Sequence, residues 1–147
     1  MDKSTLRPAR EADLSAIRVL VRSTKINPTG LKWPRFIVAE ISDGNMIACG
    51  QLKPHIDGST EIASIAVQPK YRKRGIARAI IEELMQNAPR PLYLMCRSEL
   101  GPLYEKFGFY ALQANEMPPY FRRISKLASL VDLLAREGTS LLVMRCD

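Results

Sequence analysis

The sequence contains one histidine and three cysteines in 147 residues, and both shortages restrict its chemistry. Cys49, Cys96 and Cys146 are widely spaced and odd in number, which suits reduced thiols in a cytosol-like compartment better than a disulfide framework. Metal sites usually group several cysteines and histidines, whereas His55 is the one histidine. We therefore expect no metal site.

Long apolar runs are absent as well. No stretch approaches the roughly 18 to 20 apolar residues that cross a bilayer, and the first residues do not resemble a secretory leader. The length leaves room for one domain, residues 1–147, and 46% apolar with 25% charged residues is ordinary for a globular core. These features predict a single-domain, soluble, cytoplasmic protein, and they leave monomer and homodimer open.

Positive charge is in excess, with a formal net charge of +7. A basic chain favours an anionic partner, which includes phosphorylated cofactors, acidic substrates and nucleic acids. The charge alone does not choose among these classes.

The hydrophobic pattern predicts an alternation of strands and helices. Strand-like segments are residues 4–7, 36–41, 46–53, 60–67, 92–96, 110–112 and 140–145. Helical spacing begins at Leu14 and recurs in residues 77–85, 102–107 and 124–135, and Gly138 is expected to end the last helix. Turn signals at residues 42–45 and 57–59 predict that the three strands of residues 36–67 form an antiparallel meander.

The most informative stretch is Arg72–Ala77, which follows an apolar strand and opens a helix. The first turn of a helix has amides without intrahelical partners, so an anion bound there gains hydrogen bonds and a favourable dipole. Gly75 keeps the approach free of a β-carbon, and four cations surround it: Arg72, Lys73, Arg74 and Arg78. A Walker loop or a dinucleotide fingerprint would need further glycines. The corner therefore predicts a pyrophosphate site outside those two classes.

Two motifs in this order resemble the GCN5-related N-acetyltransferase (GNAT) family. Arg72, Gly75 and Ala77 match the family's Arg/Gln-x-x-Gly-x-Gly/Ala, and Leu103–Phe109 is close to its Leu-Tyr-x-x-x-Gly-Phe. Residues 6–14 also look like the family's first strand and helix entry. The resemblance implies a mixed α/β (α+β) fold, with a mostly antiparallel central sheet of about six to seven strands flanked by helices. The sheet would be splayed at the strand before the phosphate-binding helix.

The resemblance also implies acetyl-coenzyme A (acetyl-CoA) as co-substrate, without a metal. The residues expected to hold its pyrophosphate are Arg72, Lys73, Arg74, Gly75, Ile76, Ala77 and Arg78. Ile65 and Val67 would offer backbone groups to the pantetheine arm, as a neighbouring strand would. Arg97 stands where the family commonly has an asparagine that touches the coenzyme, and whether Arg97 or Ser98 replaces it stays open.

Acetyl transfer to an amine needs a base for the amine and a proton donor for the departing thiolate. Glu61 lies where the family often carries a glutamate base, and the competing interpretation is a solvated carboxylate at the end of a strand. Tyr104 matches the family tyrosine that protonates the thiolate, and the competing interpretation is a core tyrosine. A covalent route through Cys96 competes with direct attack, but His55 has no acid partner apparent in the sequence and is expected to face solvent.

The leading hypothesis is an acetyl-CoA-dependent N-acetyltransferase in which a primary amine attacks directly in a ternary complex. We expect a small-molecule acceptor, such as an amino acid or amine, contacted by the loop of residues 27–34; a protein N-terminus or lysine is the alternative. Two further functions stay open: a CoA-binding module without catalysis, and a nucleic-acid-binding protein with Lys70–Arg74 as its basic patch. Helix-turn-helix, zinc-finger and RNP patterns are absent, which disfavours nucleic acid.

Overall fold

The computed structural model describes residues 3–24, 26–135 and 140–147, with the backbone alone for residues 131–135. The strands are β1 (Thr5–Pro8), β2 (Phe36–Glu40), β3 (Met46–Pro54), β4 (Thr60–Val67), β5 (Leu92–Arg97), β6 (Tyr110–Ala111) and β7 (Leu141–Cys146). The helices are α1 (Leu14–Ser23), α2 (Ile76–Gln86), α3 (Gly101–Glu105) and α4 (Pro119–Ala135). The strands are hydrogen-bonded in the order β1-β2-β3-β4-β5-β7-β6. The predicted mixed fold, with a mostly antiparallel sheet flanked by helices, is confirmed.

The contacts divide the chain into two compact units. Unit 1 comprises Met1–Lys53 and Ile62–Ala88, and unit 2 comprises Pro54–Glu61 and Pro89–Asp147. Strand β4 passes through both, because Thr60 and Glu61 belong to unit 2 and the rest of the strand to unit 1.

Unit 1 contains α1 and α2 together with β1, β2, nearly all of β3 and most of β4. The buried side chains of α1 are those that its helical spacing predicts, namely Ile17, Leu20 and Val21. They share an apolar cluster with Ala9, Phe36, Val38, Cys49 and Ala66. Helix α2 is packed tightly at Gly50, where an added β-carbon would lie 2.6 Å from Ile65 Cδ1 and 2.7 Å from Ile80 Cγ2. The close packing at a glycine in β3 therefore positions the helix whose first turn is the expected pyrophosphate site.

Unit 2 contains the start of β4 with β5, β6 and β7, and helices α3 and α4. Thr60 and Glu61 pair in parallel with Leu92 and Tyr93, and β7 runs antiparallel to β5 and to β6. Its apolar cluster is formed by Tyr93, Met117, Phe121 and Val143. Gly108 has the predicted left-handed conformation, with a φ of 96°, although α3 already ends at Glu105 rather than near Phe107.

Helix α4 begins at Pro119, earlier than the start at Ile124 that the apolar spacing indicates. Proline is well tolerated in the first helical turn, because its missing N–H would have no partner there. The Asp57 carboxylate accepts a hydrogen bond from the Tyr120 amide at 3.0 Å, which satisfies another early amide. The expected helix end at Gly138 lies outside the described residues. Among the described helices, none combines the length and the apolar character needed to cross a bilayer.

Candidate functional site

Two left-handed residues shape the loop that enters α2. Lys73 has a φ of 63°, and Gly75, which caps the helix, has a φ of 79°. Left-handed residues in a turn aim successive amides into one concavity that suits an anion. In the described part of the chain, neither the Lys73 amide nor the Gly75 amide donates a hydrogen bond. Together with the first-turn amides of α2, they offer donors to a ligand.

Positive side chains surround this loop, and they differ in how they are held. Arg72 Nε donates to the Val67 carbonyl at 3.2 Å and so fastens the loop to the end of β4. The Arg74 guanidinium lies 5.4 Å from the Tyr71 ring centre, within the range of a cation–π contact. Arg78 is paired with Glu82 at 2.9 Å on the exposed face of α2. Arg78 is therefore the most neutralised of these cations, while Lys73 is exposed at the left-handed turn.

Strand β4 is distorted just before the residues expected to face the pantetheine arm. Ser64 has a φ of 58°, which is uncommon for a residue other than glycine and breaks the regular extended backbone. Its Oγ accepts a hydrogen bond from Gln51 Nε2 at 2.8 Å. Ile65 and Val67 follow this distortion. The sequence offers no signal for it, because serine is not a residue that favours this conformation.

The loop before β2 lines a cavity of about 440 Å³ in unit 1. Its lining residues are Leu14, Leu31, Lys32, Trp33, Pro34 and Arg35. Two side chains of β3 hold the start of this loop: Lys53 Nζ donates to the Thr29 carbonyl at 3.1 Å, and Gln51 Nε2 approaches the Gly30 carbonyl at 3.3 Å. The loop that we expect to contact an acceptor therefore has a defined shape.

In unit 2, the side chains of His55 and Glu61 form a buried pair. His55 Nε2 lies 2.8 Å from Glu61 Oε1, and the two side chains are 10% and 5% exposed. The expectation that His55 faces solvent without an acid partner is therefore wrong, and so is the interpretation of Glu61 as a solvated carboxylate. The turn of residues 54–59 folds back on itself, since the His55 amide donates to the Ser59 carbonyl at 2.9 Å.

Aromatic rings pack against the imidazole of this pair. The His55 ring is stacked on Tyr120 with centres 3.7 Å apart, and the edge of Phe121 lies 5.6 Å from the same ring. Burial raises the pKa of Tyr120, and the nearby charge of Glu61 adds to the rise. Burial alone would raise the pKa of Asp57, but hydrogen bonds from Ser59 and from the Tyr120 amide hold it below its usual value.

Tyr104 lies on α3, also in unit 2. Burial raises the pKa of Tyr104 to about 12, and Cys96 adds to the rise. Burial likewise raises the pKa of the Cys96 thiol to about 11, so the thiol is neutral at ordinary pH. Within the residues that the structure describes, the Tyr104 hydroxyl has no hydrogen-bond partner. This phenol therefore keeps its proton and has it available.

The expected site residues are thus distributed over the two units. Unit 1 holds the loop of residues 72–78 with Ile65 and Val67, and unit 2 holds Glu61 and Tyr104. Arg97 is exposed at the end of β5, whereas Ser98 Oγ accepts a hydrogen bond from the Ser140 amide at 3.3 Å. Across the described ranges, no three His, Cys, Asp or Glu side chains are grouped as a metal site would require.

A family model described as "Acetyltransferase (GNAT) domain" matches residues 32–111. No curated protein matches the sequence. Among solved structures, the chain is 26% identical to Rv2747 from Mycobacterium tuberculosis, which was solved with CoA and a second ligand. That match has a TM-score of 0.70 and covers 95% of this chain and 97% of the other.

Two further structures show the same fold at lower identity. N-acetylglutamate synthase from Neisseria gonorrhoeae, complexed with coenzyme A and N-acetyl-glutamate, is 21% identical with a TM-score of 0.72; the match covers 99% of this chain. This chain spans only 35% of the synthase. Escherichia coli ElaA is 14% identical with a TM-score of 0.66, and each chain is covered fully, at 100%.

Proposed function

Because this chain belongs to the GNAT acetyltransferase family, we propose that it transfers an acetyl group from acetyl-CoA to the primary amine of a small molecule. The amine attacks directly in a ternary complex. The observation that carries this proposal is the left-handed corner at Lys73 and Gly75, whose amides face no partner within the described chain. The chemistry of that corner fits a pyrophosphate.

Unit 1 supplies the groups that bind the coenzyme. The amides of residues 73–78 hold the pyrophosphate, and Arg72, Lys73 and Arg74 add positive charge beside it. The buried side chain of Ile76 anchors the first turn of α2 in the core, so these amides are held in place before binding. The backbone of Ile65 and Val67 binds the pantetheine arm. The Val67 carbonyl already accepts a hydrogen bond from Arg72, which fixes the end of β4 relative to the loop.

Glu61 is the base. Bound acetyl-CoA supplies an activated thioester, and the acceptor amine must lose a proton before its nitrogen can bond to the acetyl carbon. The Glu61 carboxylate takes that proton. Its burial limits competition from water, and it is paired with His55 at 2.8 Å.

Tyr104 is the acid. When the bond between the acetyl carbon and sulfur breaks, the sulfur carries a negative charge, and the Tyr104 hydroxyl donates a proton to it. A pKa of about 12 keeps this phenol protonated throughout the neutral range. The hydroxyl is also not committed to any group of the described chain.

The acceptor is a compound that carries a carboxylate near its amine, such as an amino acid. The cavity at residues 31–35 supports this class, because Lys32 and Arg35 bring positive charge beside the apolar surface of Trp33. Arginine is well suited to bind a carboxylate through two parallel hydrogen bonds. The synthase from N. gonorrhoeae was solved with N-acetyl-glutamate, which is the N-acetylated form of such a compound.

The first test is the thermal shift of the protein with acetyl-CoA, compared with Gly75→Asp and Gly75→Asn. Ligand at about 100 times its Kd stabilises a protein by about 2.7 kcal/mol, which moves the Tm by a few degrees. Asparagine tolerates the left-handed conformation and has the size of aspartate without its charge. We expect a clear shift in the parent, a reduced shift in Gly75→Asn and none in Gly75→Asp.

Each contrary outcome decides against part of this proposal. A shift retained by Gly75→Asp would mean that the coenzyme binds away from this corner. A parent without a shift would refute acetyl-CoA binding and favour a nucleic-acid partner, which a steep dependence of binding on salt would reveal. With binding established, release of free CoA thiol in the presence of amino acids, simple amines or peptides identifies the acceptor class.

A further inference from the structure

The buried contact between His55 and Glu61 joins His55 Nε2 to Glu61 Oε1 at 2.8 Å. A base must be ionised to receive a proton, and an ionised carboxylate can only accept hydrogen bonds, so with Glu61 as the base the Nε2 atom of His55 carries the hydrogen. Both side chains are almost fully buried, and burying either one without a partner would be costly. The contact therefore stabilises both side chains in their buried positions.

The imidazole is held in one orientation by its neighbours. Tyr120 lies parallel to it, with an interplanar angle of 19°, and Phe121 contacts it edge-on at 83°. The Asp57 carboxylate joins the turn to α4, because one oxygen accepts from Ser59 and the other from the Tyr120 amide. The ring that donates to Glu61 is thus packed against the first turn of a helix, and that turn is tied to the same loop.

We propose that His55 is a positioning residue for Glu61: its imidazole fixes the orientation of the carboxylate that receives the amine proton and keeps that carboxylate ionised. This inference rests on the proposed function, in which Glu61 is the base. A hydrogen bond donated to a carboxylate favours its ionised form, whereas burial alone favours the neutral acid. Without His55, Glu61 would be both less ordered and less often in the form that can accept a proton.

Several titratable or charged groups surround the imidazole. They are Glu61 from β4, Asp57 from the turn, Tyr120 from α4, and, on the far side of Phe121, Tyr93 of β5 with Arg145 of β7. A substitution at His55 leaves all of them in place. Because every substitution at His55 also removes the imidazole, the comparison of two variants that differ in their hydrogen-bond donor reports on the contact with Glu61.

Two substitutions separate the hydrogen bond from the packing. His55→Phe keeps a ring that can stack on Tyr120 but has no donor, and His55→Gln keeps a donor but has no ring. We expect His55→Phe to lower kcat on the order of 10- to 100-fold, because a misplaced base reacts slowly. The acidic limb of its kcat/KM profile should move to higher pH. His55→Gln should be less affected on both counts, and Ile56→Thr, at a fully exposed position in the same turn, should match the parent.

A second measurement does not depend on activity. Because His55 is the one histidine in the chain, its imidazole N–H gives a proton NMR signal that needs no assignment among competitors. A hydrogen bond to a buried carboxylate slows exchange with water and moves this signal far downfield. We expect the signal in the parent and its loss or upfield movement in Glu61→Gln.

The outcomes distinguish failure of this inference from failure of the proposed function. A parent without the downfield signal, or a His55→Phe variant with the parent's kcat and pH profile, would reduce His55 to a packing residue. If Glu61→Gln keeps full activity, Glu61 is not the base, and the role of His55 falls with it. Binding of acetyl-CoA to unit 1, measured by thermal shift, is unaffected by either result.

Discussion

The phosphate corner of unit 1 and the His55–Glu61 cluster of unit 2 are built in opposite ways. The corner is exposed and formed by consecutive residues, and the groups that we propose as its ligands are the backbone amides of Lys73 and Gly75. The cluster is buried, and its working groups are side chains brought together from the turn of residues 54–59, β4 and α4. The corner depends on the path of the backbone, and the cluster depends on individual side-chain atoms.

This difference determines which mutations should damage each region. Removing one positive side chain from the corner leaves its backbone amides in place, so the loss of affinity for acetyl-CoA should be modest. Removing one polar atom from the buried region of unit 2 deletes a group to which we assign a proton transfer, so a large loss of activity is expected. The largest loss of kcat is therefore expected where the oxygen of the proposed acid is removed, and the smallest where a buried, neutral thiol is removed.

The largest effect is expected for Tyr104→Phe, which removes one oxygen. Loss of a positioned acid costs on the order of 100-fold or more in kcat, or about 3 kcal/mol, while the thermal shift with acetyl-CoA should stay as in the parent. Steady-state kinetics with the thermal shift as control measures both. A kcat within a few-fold of the parent would exclude Tyr104 as the acid and leave it a core residue.

The pH dependence of the parent sharpens the same prediction. An acid is active while it holds its proton, so activity that depends on Tyr104 is present below its pKa and is lost as pH rises through it. Because that pKa is about 12, rather than the usual value near 10, the rate should not fall through loss of this proton up to about pH 10. The same sign applies to stability: the contribution of buried, neutral Tyr104 is complete below about pH 10 and declines toward pH 12.

An intermediate effect is expected for Gly50→Ala in unit 1, at a residue to which we assign no chemical role. The new methyl group would overlap Ile65 and Ile80 and come within 3.2 Å of Leu84. Overpacking of this kind costs about 1–3 kcal/mol, and relief requires α2 to move. We expect a lower Tm and weaker acetyl-CoA binding, because the corner amides move with the helix.

The matched control is Gly101→Ala in unit 2, where the added carbon would lie 3.0 Å from the flexible end of Leu142. This variant should lose less stability and bind acetyl-CoA as the parent does. If Gly50→Ala loses stability but binds the coenzyme normally, the corner does not depend on the position of α2. Binding in unit 1 would then not depend on the path of the backbone in the way that the comparison requires.

The contrast also explains which parts of the molecule could be predicted from the sequence. Gly75 and the cations around it are adjacent in the chain, so a local motif carries their geometry, and apolar spacing identified the strands and the buried face of α1. The partnership of His55 and Glu61 depends on a turn that folds back and on Tyr120, which is distant in sequence. The spacing placed the start of α4 at Ile124, because the cap from Asp57 to the Tyr120 amide is a tertiary contact. The left-handed Ser64 likewise has no local signature.

The smallest effect is expected for Cys96→Ala, which tests the covalent route. Burial raises the pKa of this thiol to about 11, so only on the order of one in ten thousand molecules carries the reactive thiolate at pH 7. We expect kcat within about twofold of the parent, and intact-protein mass spectra of the parent with acetyl-CoA alone should show no acetyl adduct. Cys49→Ala is the control, since Cys49 is a buried thiol of unit 1 with its pKa raised to about 12. A kcat that falls for Cys96→Ala but not for Cys49→Ala, together with an acetyl adduct on Cys96, would establish a covalent route. In that route the Cys96 thiol, and not the bound amine, would attack acetyl-CoA.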